Sequence, residues 1–92
     1  PPFSRIIAVS IIVSETEDIM GRVRQALPQP PEEVVMLGPV EVFSPRKGMR
    51  CLQVILKSPD RKAVRHAAHE VMGRLKAMKK GKIIIDVDPL RI

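Results

Sequence analysis

The stretch MRCLQVILKSPDRKAVRHAAHEVMGRLKAM, residues 49–78, changes its apolar period once, at Ser58-Pro59-Asp60, and that change decides the fold. Before it, Leu52, Val54 and Leu56 alternate with Cys51, Gln53, Ile55 and Lys57, the two-residue period of a strand laid against a core. After it, Val64, Ala67, Ala68, Val71, Met72, Leu75 and Met78 recur at three- and four-residue intervals and form one apolar stripe on a helix. Ser58 is expected to cap the first amides of that helix, with Pro59 pre-set for its first position. Lys76, Lys79 and Lys80 fall where the helix dipole favours cations, and Gly81 is expected to end the helix.

Upstream, the polar tip from Ser44 to Gly48 turns the chain back onto Glu33–Phe43, so these two segments read as a hairpin. Gly38-Pro39 interrupts the first of them, which predicts an edge strand with a bulge or bend. Arg5–Val13 is rich in Ile and Val on both alternate faces, as in a central strand covered on at least one side. Ser14 stands three residues before Glu17, the spacing of a capping box. Ile19, Met20, Val23, Ala26 and Leu27 follow at helical intervals, predicting a first helix of about ten residues. Pro28, Pro30 and Pro31 stop it. Downstream, Ile83–Val87 reads as a last short strand closed by Asp88-Pro89. The order is β-α-β-β-α-β, an α+β fold whose simplest packing is a four-stranded antiparallel sheet with both helices on one face. All 92 residues, 1–92, fit a single domain with one core.

Composition narrows the function. The sequence has no Asn, Tyr or Trp and one cysteine, Cys51, so most catalytic constellations, an internal disulfide and a thiolate metal cage are excluded. A cytoplasmic setting is expected, and the apolar run Ile6–Val13 is too short to cross a membrane. The chain starts on Pro1-Pro2-Phe3 without Met, which points to a piece of a longer protein. Charge is unevenly placed: residues 1–45 carry three basic against six acidic side chains, residues 46–92 thirteen against four. A surplus gathered in one half favours an anionic partner.

Several short elements carry a resemblance. Leu37-Gly38-Pro39 after the proline-rich linker, Arg50 with Gln53 and Lys57 in the third strand, the run Ile85-Asp86-Val87-Asp88-Pro89-Leu90 and the initial Pro1-Pro2-Phe3 stand in the same order and at similar spacing as in the carboxy-terminal domain of the primosomal protein N′ family. The resemblance spans nearly the whole chain. It implies a ferredoxin-like domain similar to ribosomal protein S10, belonging to a bacterial ATP-dependent 3′ to 5′ DNA helicase that acts in replication restart at stalled forks. It further implies contacts with forked or single-stranded DNA, with the acidic tail of single-strand DNA-binding protein, and with the helicase core of the same chain. ATP and zinc belong to other domains of that family; for the present chain no cofactor, no metal and no enzymatic activity are expected. The third strand departs from the family pattern, because Met49 and Cys51 flank Arg50 where aromatic residues usually stand.

Candidate binding residues fall in two groups. Arg46, Lys47 and Arg50 place three cations within five positions at the hairpin tip, suited to sequence-blind phosphate contact and equally to a solvated turn that discourages edge pairing. Arg61 and Arg65, four apart at the start of the second helix, share a face beside free amides and the positive dipole end, suited to carboxylates or to plain solvent exposure. The resemblance assigns the acidic-tail role to Arg61, and helical geometry extends it to Arg65. His66, His69 and Glu70 lack further ligands for a metal. Asp86 and Asp88 are expected on one face of the last strand, where they could hold a divalent ion but read rather as structural acceptors for the amino-terminal segment or partners of a basic side chain. Two other classes stay open beside the DNA module: a small-molecule regulatory domain of the same topology and an RNA- or ribosome-binding relative of S10. An acylphosphatase-like enzyme needs an Asn beside its arginine, and Asn is absent.

Overall fold

The computed structural model describes residues 4–44 and 46–88. Within them the chain runs β1 (Arg5–Ser14), α1 (Met20–Ala26), β2 (Val35–Val42), β3 (Met49–Ser58), α2 (Arg61–Ala77) and β4 (Lys82–Val87). The strands form one antiparallel sheet in the order β2-β3-β1-β4, the α+β ferredoxin-like arrangement. Pro1-Pro2-Phe3 and Pro89-Leu90, which carried part of the family resemblance, lie outside the described residues.

β1 is central, paired with β3 on one side and β4 on the other. Its Ile7, Val9, Ile11 and Val13 join Leu52, Val54 and Leu56 of β3, Val23 of α1 and Val64, Ala68, Val71 and Leu75 of α2 in one core. Ala8 and Ile12 on its opposite face are also buried, which explains why both alternating sets are apolar. Each fully buried aliphatic side chain here contributes about 1.5–3 kcal/mol relative to exposure. The rest of that opposite face has no helix over it, and Val35, Leu37 and Val40 are about half exposed there.

α1 is shorter than the periodicity suggests and is not capped by Ser14. That residue ends β1; its hydroxyl accepts from the Thr16 amide and its carbonyl from the Glu17 amide. This local turn uses the acceptor the capping box would need. The helix begins at Met20 with no side-chain cap and depends on the burial of Ile19 and Val23. It stops where expected: Leu27 is extended, as the residue before Pro28 must be.

The start of α2 also differs. Asp60, not Ser58, is the cap, accepting from the amides of Lys62 and Ala63. A carboxylate there satisfies two orphan donors and complements the dipole. Ser58 is the last residue of β3, buried, with its hydroxyl accepting from the Asp60 amide. At the far end the helix closes at Ala77, and Lys79, not Gly81, takes the left-handed conformation. Gly81 is required for a different reason, because it passes so close to the Ile12 carbonyl and the Val13 side chain that no Cβ fits.

β2 is the edge strand with the predicted irregularity. Its register on β3 shifts between Leu37, opposite Ile55, and Val40, opposite Gln53. Gly38 has φ +102°, and a Cβ on it would lie 2.6 Å from the Gln53 carbonyl oxygen. The Leu-Gly-Pro element is thus the place where an outer strand bends against its neighbour.

Candidate functional site

The basic residues singled out from sequence separate into two sites at opposite ends of the domain. β3 runs from the hairpin tip at Met49 to Ser58 beside the start of α2. Ten strand residues put roughly 30 Å between them.

At the tip, residues between β2 and β3 are held by short-range bonds. The Arg46 amide donates to Ser44 Oγ at 3.2 Å and Ser44 Oγ donates to the Arg46 carbonyl at 3.1 Å. Met49 N reaches the Arg46 carbonyl, and the Gly48 carbonyl accepts from Glu15 of the β1–α1 turn. This framework leaves the Arg46 and Lys47 side chains exposed and, among the described residues, without an ion pair. Phe43 lies beside them, lining the same shallow depression.

Arg50 does not share their freedom. By register it sits opposite Val13, on the helix-covered side. There its Nε and Nη2 donate to the two Glu41 carboxylate oxygens at 3.1 and 3.0 Å, and Nη1 donates to the Glu17 carbonyl at 2.7 Å. The side-chain hydrogen bonds from Arg50 hold the Glu41 carboxyl below its ordinary range, and Glu41 raises the Arg50 guanidinium in return. All three directions of the guanidinium fork are used, so this arginine ties β2, β3 and the β1–α1 turn together. A phosphate reaching its remaining N–H groups would compete with Glu41 for the same charge. Lys80 extends the tie, approaching Glu17 at 3.9 Å.

At the other end, Arg61 and Arg65 stand one turn apart on α2 and are exposed. They border a groove between α2 and β4 formed by two adjoining cavities of about 290 and 180 Å³. Ile7, Val64, Ala68, Ile85 and Val87 line it, and of these Ile85 and Val87 supply the exposed apolar surface. Arg5 joins the rim, donating to Asp88 Oδ2 at 3.4 Å, while Asp88 Oδ1 accepts from the Ile6 amide at 3.2 Å. Among the described residues Arg61 and Arg65 form no ion pair. Asp60 already occupies the amides of Lys62 and Ala63, so any carboxylate here would meet guanidinium groups more than bare helix amides.

Asp88 therefore has the structural role read for it, joining the start of β1 to the end of β4. It does not share a face with Asp86: it has left the strand at φ +52°, whereas Asp86 pairs in register with Ala8. Among the described residues no three His, Cys, Asp or Glu side chains cluster as metal ligands, and no helix is long and apolar enough to cross a membrane. The sequence reading missed Arg5 and the apolar groove floor. Both come from pairing Ile7 with Val87, a contact between distant segments that only the β1–β4 register reveals.

Comparisons with known proteins agree with this architecture. A family model described as the primosomal protein N C-terminal domain matches residues 1–90. Among solved structures, a de novo designed protein, Foldit4, superposes with a TM-score of 0.65 at 12% identity, covering 96% of this chain and 99% of that one, a likeness of fold alone. A comparison with curated protein sequences gave no match.

Proposed function

Because the chain belongs to the primosomal protein N C-terminal domain family, we propose that it is a two-ended docking module of an ATP-dependent 3′ to 5′ DNA helicase in replication restart. One end holds DNA and the other an acidic protein tail. The observation that carries the reading is the α2–β4 groove, where Arg61 and Arg65, without an ion pair among the described residues, stand beside apolar surface supplied mainly by Val87. The acidic tail of single-strand DNA-binding protein that the family resemblance implies would set its carboxylates on the guanidinium groups, and an apolar residue beside them would cover the floor. A neutral metabolite would use only half of it.

The hairpin supplies the second contact. Arg46 and Lys47 project from a braced turn and can neutralise backbone phosphates of forked or single-stranded DNA without reading bases. Arg50 supports this tip from behind. The half-exposed Val35, Leu37 and Val40 on the uncovered sheet face offer apolar area against which the helicase core of the same chain would pack.

The acidic-tail assignment is tested by fluorescence anisotropy with a labelled acidic peptide that ends in an apolar residue and a free carboxylate. Arg61→Glu is expected to weaken binding by roughly tenfold or more, as loss of a charge-assisted pair would, with an unchanged melting temperature. Peptide affinity indistinguishable from that of the unaltered chain would remove the groove from the account.

A further inference from the structure

Among the described large hydrophobic side chains Phe43 is the most exposed, at 91%. It stands immediately beyond Val42, the last β2 residue in register with β3, and outside the core cluster. Packing gives no reason for an aromatic ring at this position. Its neighbours do: Arg46, Lys47 and Met49 line the same open depression, of about 550 Å³. The turn that follows it is tied by bonds between Ser44 and both the amide and the carbonyl of Arg46, and by the bond from the Glu15 amide to the Gly48 carbonyl.

We propose that Phe43 is a stacking platform for one unpaired DNA base, with Arg46 and Lys47 holding the phosphates beside that base. This rests on the hairpin contacting DNA, and adds which form of DNA it selects. Bases inside a duplex are already stacked on both faces and present only edges and phosphates to a protein. An unpaired base has a free π-face, and an exposed aromatic ring next to cations is the arrangement that captures it, whatever the base. Phe43 is the one aromatic among the described residues, so the site takes one base and not a run of them. A hairpin tip with this combination prefers single strands, or the unpaired position at a branch, over continuous duplex. Cations alone would show no such preference at equal phosphate count.

The test uses the 92-residue chain with a single-stranded oligonucleotide carrying 2-aminopurine and a blunt duplex matched in phosphate number. The unaltered chain is expected to bind the single strand more tightly and to quench the 2-aminopurine. Phe43→Ala should lose about tenfold in single-strand affinity, together with the quench, and leave duplex affinity unchanged. Phe43→Trp should restore both. Because the sequence has no other Trp, its own emission then reports the stacked base directly. If Phe43→Ala leaves single-strand affinity and quenching intact while Arg46→Glu with Lys47→Glu weakens binding to both DNAs, the stacking proposal is overturned and the hairpin reading stands. Should the double charge reversal change neither affinity, the hairpin reading itself fails and takes this proposal with it.

Discussion

Salt dependence separates the two cations that face solvent at the hairpin tip from the one that does not. Neutralising a phosphate releases counterions, and each contact adds about 0.9 to the slope of log affinity against log salt on duplex DNA. Arg46 and Lys47 are exposed, whereas Arg50 spends its guanidinium on Glu41 and the Glu17 carbonyl. Two phosphate contacts are therefore expected at the tip, and Arg46→Gln with Lys47→Gln should flatten the slope by about 1.8. Between about 50 and 200 mM salt that difference amounts to roughly tenfold in affinity. Arg50→Gln should leave the slope where it was and instead lower the unfolding midpoint, since it removes the fork that joins two strands and a turn. The assay is anisotropy titration of a labelled fork or duplex over a series of salt concentrations, with urea unfolding alongside. A slope loss of about 0.9 for Arg50→Gln at unchanged stability would refute the reasoning, because it would show that arginine on phosphate in preference to Glu41.

Two further outcomes concern the frame that holds these sites. The Glu41 carboxyl titrates below its ordinary value of 4.5, so its contribution to stability is complete above that value and disappears as pH falls through the lowered one. Glu41→Gln should accordingly be less stable than the unaltered chain at neutral pH and approach it as pH drops below about 4.5, measured as urea midpoints across pH; a gap that widens on acidification would contradict the pairing. Gly38→Ala forces a Cβ to 2.6 Å from the Gln53 oxygen at φ +102°. A loss of about 2 kcal/mol or more is expected in urea unfolding, and a change under about 0.5 kcal/mol would mean the bend in β2 is relaxed easily.

Most of the framework was legible because the two apolar periods, of a strand and of a helix, are each set by backbone geometry and are hard to mimic. Leu52, Val54 and Leu56 point into the core as their alternation required, and Val64, Ala67, Ala68, Val71 and Leu75 form the buried face of α2. Helix starts were less legible. Ser14 and Ser58 both have capping chemistry, yet each ends a strand: α1 starts without a side-chain cap and Asp60 caps α2, so which polar residue caps is decided by where the preceding strand ends. At the sites, the exposure of Arg46, Lys47, Arg61 and Arg65 follows from their place on a tip and on the polar side of a helix. The fate of Arg50 could not be read, because Glu41 meets it across the hairpin and Glu17 meets it from the turn after β1. Both partners depend on register. The groove under Arg61 and Arg65 was hidden for the same reason, being built on β1 beside β4.

The bend in β2 bears on how copies of this domain behave in crowded solution. An antiparallel sheet grows by adding strands to its flanks, and unlimited growth needs both flanks to be receptive. On the β2 flank, Pro39 has no amide to offer and the Gly38 kink breaks the row of donors and acceptors. Among the described residues, only the flank formed by β4 keeps a regular row, over Lys82–Val87. Molecules that met edge to edge could join there as a closed pair and then stop, so the kink protects against filaments.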